Sequence, residues 1–167
     1  MPKIFADPLY RDCIQTATRS KGNERYGSLI LKEGRVIGRG FNRAIAHPAF
    51  RLERVLKQGM ANHSEVEALH DALMHLEDTQ GADLYVAGFF PRTGQLFMHR
   101  TFTCVRCIPY LQEAGIENIF VPMPDGWKKR PMVAAAREAT TFTNGTHSKR
   151  LDSVVGEYYL DSIGVTL

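Results

Sequence analysis

The chain has 167 residues, 44% hydrophobic and 23% charged, the proportions of a globular domain long enough to bury a core without disulfide or metal staples. Twenty-one Lys and Arg against eighteen Asp and Glu leave a formal charge of +3, which permits an anionic ligand but is no polycationic nucleic-acid coat. Three cysteines are too few and too odd a set for a disulfide scaffold. Residues 1–8 lack the apolar core of a signal peptide, and no run approaches the roughly 18–20 apolar residues of a membrane span. A single domain over 1–167 with no membrane contact, in a reducing cytoplasmic setting, is the expectation.

Asp7-Pro8 predicts a helix start, an N-cap followed by proline at the first helical position. Leu9, Cys13 and Ala17 then share a face, and Lys21-Gly22 ends the pattern, so the first helix covers about 7–21. Residues 26–31 and 36–41 flank the turn Lys32-Glu33-Gly34-Arg35 and predict a β-hairpin whose glycines allow close approach to the second strand. Residues 43–62 have no period and suggest a surface loop or a short irregular helix. From Asn62 to about Asp78, Val66, Leu69, Leu73 and Leu76 recur at helical spacing, with His63 and Glu65 in the first turn.

The mostly apolar run 84–90 predicts a buried strand. Residues 92–95 form a turn, 96–102 a short strand, and a third helix opens near Cys104 and ends at Ala114-Gly115. Residues 119–121 give another strand; 131–142 and 151–163 read as helices, parted by a polar loop at Asn144-Gly145. A hairpin followed by alternating elements predicts an α/β fold: a three-layer α-β-α sandwich with one mixed sheet of about five strands.

His63-Ser64-Glu65 at one helix start and Cys104-Val105-Arg106-Cys107 at another are the strongest chemical signal. Zinc takes imidazole nitrogen and thiolate sulfur; structural sites close four protein ligands, and catalytic ones keep three. Here the count is three. Two thiolates neutralise a divalent charge, helix starts favour the thiolate form, and the remaining coordination position can hold hydroxide. Glu65 is too near His63 to be a comfortable co-ligand but can reach a metal-bound water, take its proton and pass it to a ring nitrogen and a leaving amine. That is the chemistry of hydrolytic deamination.

These residues resemble the signature of the zinc-dependent cytidine and deoxycytidylate deaminase superfamily, which also includes the tRNA adenosine deaminases. The resemblance runs over about 26–121 as hairpin, zinc helix, strand, cysteine helix, strand. It implies a cytidine-deaminase-like fold, His63, Cys104 and Cys107 as Zn2+ ligands, and Glu65 as the proton shuttle. It also maps Gly38-Arg39-Gly40-Phe41-Asn42 onto the strand end whose asparagine binds substrate. Residues 107–116, followed by Trp127 and an Ala-rich helix, look most like the deoxycytidylate branch. Ser64 stands where that pattern has alanine, and Thr103 where it has proline. Residues 43–62 offer His47 but no cysteine for the second zinc site that deoxycytidylate enzymes often carry. A homo-oligomer built through the helices flanking the zinc site is implied in the same way.

Each of these residues also has a plainer reading. Cys13 is a small apolar core residue unless it is a fourth ligand, which would close the site into a non-catalytic zinc-stabilised module. His70, His75, His99 and His147 are satisfied surface or half-buried histidines. Asn42 can equally cap the strand end. Arg51 and Arg54, with Lys57, can grip a phosphate or, interleaved with Glu53, simply face water. Lys128-Lys129-Arg130 and Lys149-Arg150 carry no interleaved aromatics, so a nucleic-acid surface is not favoured. The expected activity is deamination of a cytosine nucleotide or nucleoside, a deoxycytidylate-like reaction in which zinc hydroxide attacks the amine-bearing ring carbon. The candidate substrate contacts are Asn42, Ser64, Arg51 and Arg54. The alternatives are another amino-heterocycle or a tRNA or single-stranded base.

Overall fold

A computed structural model describes residues 1–43, 63–98, 104–141 and 154–167. After a 3-10 turn at Lys3–Ala6, helix α1 spans Pro8–Ala17; strands β1 (Arg25–Lys32) and β2 (Arg35–Phe41) follow, then α2 (Ser64–Met74) and β3 (Asp83–Phe89). The chain continues through β4 (Gln95–Met98), α3 (Ile108–Glu113), β5 (Asn118–Met123), β6 (Gly126–Pro131), α4 (Met132–Thr141), β7 (Val154–Tyr159) and a 3-10 turn at Leu160–Ile163. The start of α1 is built as its sequence dictates. Asp7 Oδ1 accepts from Leu9 N at 2.7 Å and Tyr10 N at 3.3 Å, and Pro8 occupies the position whose amide would go unused.

One seven-stranded mixed sheet runs β2-β1-β3-β4-β7. β1 pairs antiparallel with β2 and β3, whereas β5 joins β3 in parallel through Asp83↔Asn118 to Tyr85↔Phe120 and carries β6 as a hairpin partner. Along β1 the side chains alternate between two cores. Tyr26 and Ile30 join Leu84, Val86, Ile119 and Val121 under α2, α3 and α4. Leu29 and Leu31 join Ala87, Phe89, Leu96 and Met98 under α1 and the two 3-10 turns. The result is the expected three-layer arrangement, helices covering both faces of the sheet.

Close approach is set by glycines. A Cβ on Gly27 would sit 2.0 Å from Cys13 O of α1; one on Gly40 would sit 2.1 Å from Ala68 N and 2.5 Å from Ser64 O of α2. These strand glycines let both helices lie directly on the backbone of the hairpin. Ala68 and Ala72, fully buried, are the matching small residues on α2.

Several expectations are corrected. Residues 151–163 are no helix: 154–159 form β7, which pairs with β4 through Phe97↔Val155 and Met98↔Val154. The β-branched pair Val154-Val155 and the aromatic pair Tyr158-Tyr159 suit a strand, and β4 would otherwise be an unpaired edge. Lys128-Lys129-Arg130 lies on β6, an extra strand at the sheet's end, where lysines discourage edge-to-edge pairing. The first helix ends at Ala17, not near Lys21. α2 is shorter than predicted; Leu76 has φ 56° and is 93% exposed, and Leu73 is also exposed, so the buried stripe is Val66, Ala68, Leu69 and Ala72. Residues 105–107 form turns and α3 begins only at Ile108. The predicted loop 43–62 beyond Arg43, the end of the strand after Met98 and the polar loop at Asn144-Gly145 lie outside the described residues.

Candidate active site

The chemical groups gather at the starts of two helices on one face of the sheet. His63 is the N-cap of α2, with extended backbone (φ −77°, ψ 156°), and its carbonyl accepts from Glu67 N at 3.1 Å. Cys107 is the N-cap of α3, and Cys104 O accepts from Cys107 N at 2.9 Å and Ile108 N at 3.3 Å. This tight turn folds the Cys-x-x-Cys segment back so that both thiols face the same way. The ligand atoms of His63, Cys104 and Cys107 all lie within 4.8 Å of one another; both cysteines are buried and His63 is half-buried.

The donor set fits zinc. Zn–S bonds of about 2.3 Å and Zn–N bonds of about 2.0 Å in a tetrahedron put nitrogen and sulfur about 3.5 Å apart. His63 Nδ1 and Cys107 Sγ are 3.5 Å apart. The Cys104 thiol is pushed down to about 3, chiefly by a hydrogen bond from Cys107 and against the effect of burial. The bond and charge of His63 and the backbone amide of Arg106 add to that lowering. A site that holds a thiolate this readily is built for a cation.

Glu65, the second residue of α2, is buried, with only 2% of its surface exposed. Ser64 Oγ donates to its Oε2 at 3.2 Å, and Ser64 Oγ is itself 2.7 Å from Ser28 Oγ on β1. A buried carboxylate beside a metal-binding cluster, held by a hydroxyl, can accept and return a proton in a place from which bulk water is kept away.

The structure separates the remaining candidates. Cys13 lies in the core on the opposite face of the sheet, where its Sγ donates to Tyr85 O at 3.8 Å and burial pushes its thiol well up. A site closed by Cys13 is therefore ruled out by the sheet that stands between. His75 is exposed, with its Nδ1 2.8 Å from Asp71 O. Asn42 has both ends of its amide bound to backbone: Oδ1 accepts from Tyr26 N and Nδ2 donates to Glu24 O, each at 2.8 Å. That pair prolongs the β1–β2 ladder by one side-chain rung. Arg51, Arg54, His47, His99, Thr103 and His147 lie outside the described residues.

Two participants were not singled out from the sequence. Ser28 is a fully buried serine within the mostly apolar strand run 26–31, and a buried polar group in such a run needs a partner. Arg43 pairs with the buried Glu67 of α2 at 3.6 Å and stacks its guanidinium on Phe41, whose ring also meets Arg19.

A family model of the cytidine and deoxycytidylate deaminase zinc-binding region matches residues 6–123, which include His63, Glu65, Cys104 and Cys107. Among solved structures, a diaminohydroxyphosphoribosylaminopyrimidine deaminase/5-amino-6-(5-phosphoribosylamino)uracil reductase from Thermotoga maritima is similar at 21% identity and TM-score 0.45. That match covers 69% of this chain and 28% of that one, so the chain spans little more than a quarter of its length. The dCMP deaminase of cyanophage S-TIM5 in apo form is 16% identical, TM-score 0.43, with 68% of this chain and 81% of that one covered. A cytidine deaminase from Burkholderia pseudomallei is 18% identical, TM-score 0.48, with coverages of 74% and 92%. A search of curated protein sequences returned no match.

Proposed function

Because the chain belongs to the cytidine and deoxycytidylate deaminase zinc-binding family, we propose that it deaminates a free cytosine nucleotide or nucleoside, with deoxycytidine monophosphate the first candidate. The observation that carries this reading is the His63, Cys104, Cys107 cluster with the Glu65 carboxylate buried on the same helix start. Bound zinc supplies Lewis-acid activation of water at neutral pH. His63, Cys104 and Cys107 would hold it. The Glu65 carboxylate takes one proton from the attacking water and delivers it to the ring nitrogen, then takes the remaining proton from the hydroxyl added to the ring carbon and delivers it to the amine, which departs as ammonia as the carbonyl forms. Buried surroundings keep competing water from that carboxylate.

The choice of a cytosine monophosphate is supported by the likeness of residues 107–116 to the deoxycytidylate branch and by the basic residues of the 43–62 segment, Arg51 and Arg54 among them. Assembly as a homo-oligomer is part of the same proposal. Leu73, Met74 and Leu76 form an exposed apolar group at the end of α2 that a second copy could cover. Free thiols suit a reducing cytoplasm.

The test is ammonia release by the zinc-loaded protein across cytosine, adenine, guanine and pterin compounds, each as base, nucleoside and nucleotide. Turnover of deoxycytidine monophosphate above the rest is the expected result. Preference for another ring, or activity on an oligonucleotide only, overturns the substrate assignment; light scattering of the same sample reads the assembly.

A further inference from the structure

Behind Glu65, between helix and sheet, lie two hydroxyls that the chemistry above does not use. Ser28 and Ser64 are both fully buried, and their Oγ atoms are 2.7 Å apart. Side chains one residue apart on a helix do not ordinarily face each other. The 3.2 Å contact between Ser64 Oγ and Glu65 Oε2 therefore reflects a carboxylate folded back over the first turn. Ser64 donates its single hydroxyl proton to Glu65. The bond between the two serines must then run from Ser28 to Ser64. Direction and sequence are thereby fixed: strand hydroxyl to helix hydroxyl to carboxylate.

We propose that Ser28 and Ser64 are positioning residues, a strut from β1 that holds the Glu65 carboxylate in one orientation for proton transfer. The close seat of α2 on Gly40 brings Ser64 within reach of β1. A glutamate has three side-chain torsions to lose, and a reacting group displaced by about 1 Å costs roughly 100-fold in rate. A donor pinned at its other end to a central strand removes that freedom. The pair could instead only satisfy each other as buried polar groups. In that case their removal would lower stability and leave turnover per folded molecule untouched.

The proposal rests on Glu65 being the proton carrier, and its test has one readout of turnover and one of geometry. In zinc-loaded Ser64→Ala, kcat is expected to fall about 10- to 30-fold, with KM within about twofold and zinc content unchanged. Crystals of the same variant should show Glu65 divided between rotamers where the parent shows one. Ser28→Ala should give the same effects in weaker form, and the double variant should lose no more than Ser64→Ala alone. Full kcat in folded Ser64→Ala, or an unmoved Glu65, overturns the strut. Absence of turnover in the parent on every substrate would instead defeat the deaminase reading, and the Glu65 rotamer would still decide the strut. If Ser64→Ala does not fold, Ser28→Ala carries both readouts from the sheet side.

Discussion

Replacing Gly40 by alanine should disable the site from behind. A Cβ there would lie 2.1 Å from Ala68 N, 2.5 Å from Ser64 O and 2.6 Å from Glu67 C, whereas ordinary contact begins at 3.4 Å. All three atoms are helix backbone, so no rotamer change relieves them, and α2 must retreat by about 1.3 Å. That helix start carries His63 and Glu65, while Cys104 and Cys107 stay with α3. Metal–ligand distances tolerate only about 0.2 Å, so a retreat of this size opens the 3.5 Å spacing between His63 Nδ1 and Cys107 Sγ beyond what one ion can span. Overpacking of this kind costs about 1–3 kcal/mol, or roughly 3–10 °C in Tm for a chain of this size. Thermal melts followed by circular dichroism, and zinc competition against a coloured chelator, measure the two effects. Val133→Ala, at an exposed position of α4, is the control and should stay within about 0.5 kcal/mol. A Gly40→Ala protein with parental Tm and zinc affinity would refute the argument that α2 is seated on this glycine.

Glu65→Ala should keep its zinc, as read by metal analysis, and lose at least about 100-fold in ammonia release; near-parental turnover would remove Glu65 from the mechanism. Stripping the metal with a chelator should abolish turnover yet leave the far-ultraviolet spectrum nearly unchanged, since Cys104 and Cys107 are only two members of one large core and the other core contains no ligand. Unfolding on chelation would show a structural metal. Tyr10→Phe should raise Tm by about 2–4 °C, because the Tyr10 hydroxyl is buried with no hydrogen-bond partner among the described residues. A lower Tm would mean that the hydroxyl is satisfied.

The metal ligands were legible because their chemistry is compressed into two short patterns, and each falls at a helix start that the sequence marks independently. The hairpin was legible from its turn, where Glu33 and Gly34 both adopt positive φ. Residues 151–163 misled for a physical reason. Val154, Val155, Tyr158 and Tyr159 recur as a helical face would, and only the need of β4 for a partner decides for a strand. The same holds for Leu73 and Leu76, periodic with Val66 and Leu69 yet beyond the part of α2 that meets the sheet. Ser28 was hidden because its role depends on a residue 36 positions away and on a helix–sheet distance set by glycines. Local pattern reports period and capping; it does not report which elements become neighbours.

The placement of Cys13 across the sheet from Cys104 and Cys107 gives the molecule three thiols in two environments. A thiol-specific dye can therefore serve as a clock with two hands. In zinc-free protein, Cys104, whose thiol is pushed down by Cys107 and His63, should react before Cys13 and report on the state of the metal cluster. Cys13, fully buried and held protonated, should react only when α1 leaves the hairpin. The interval between the two signals measures how far the metal cluster can be opened while the rest of the chain remains folded.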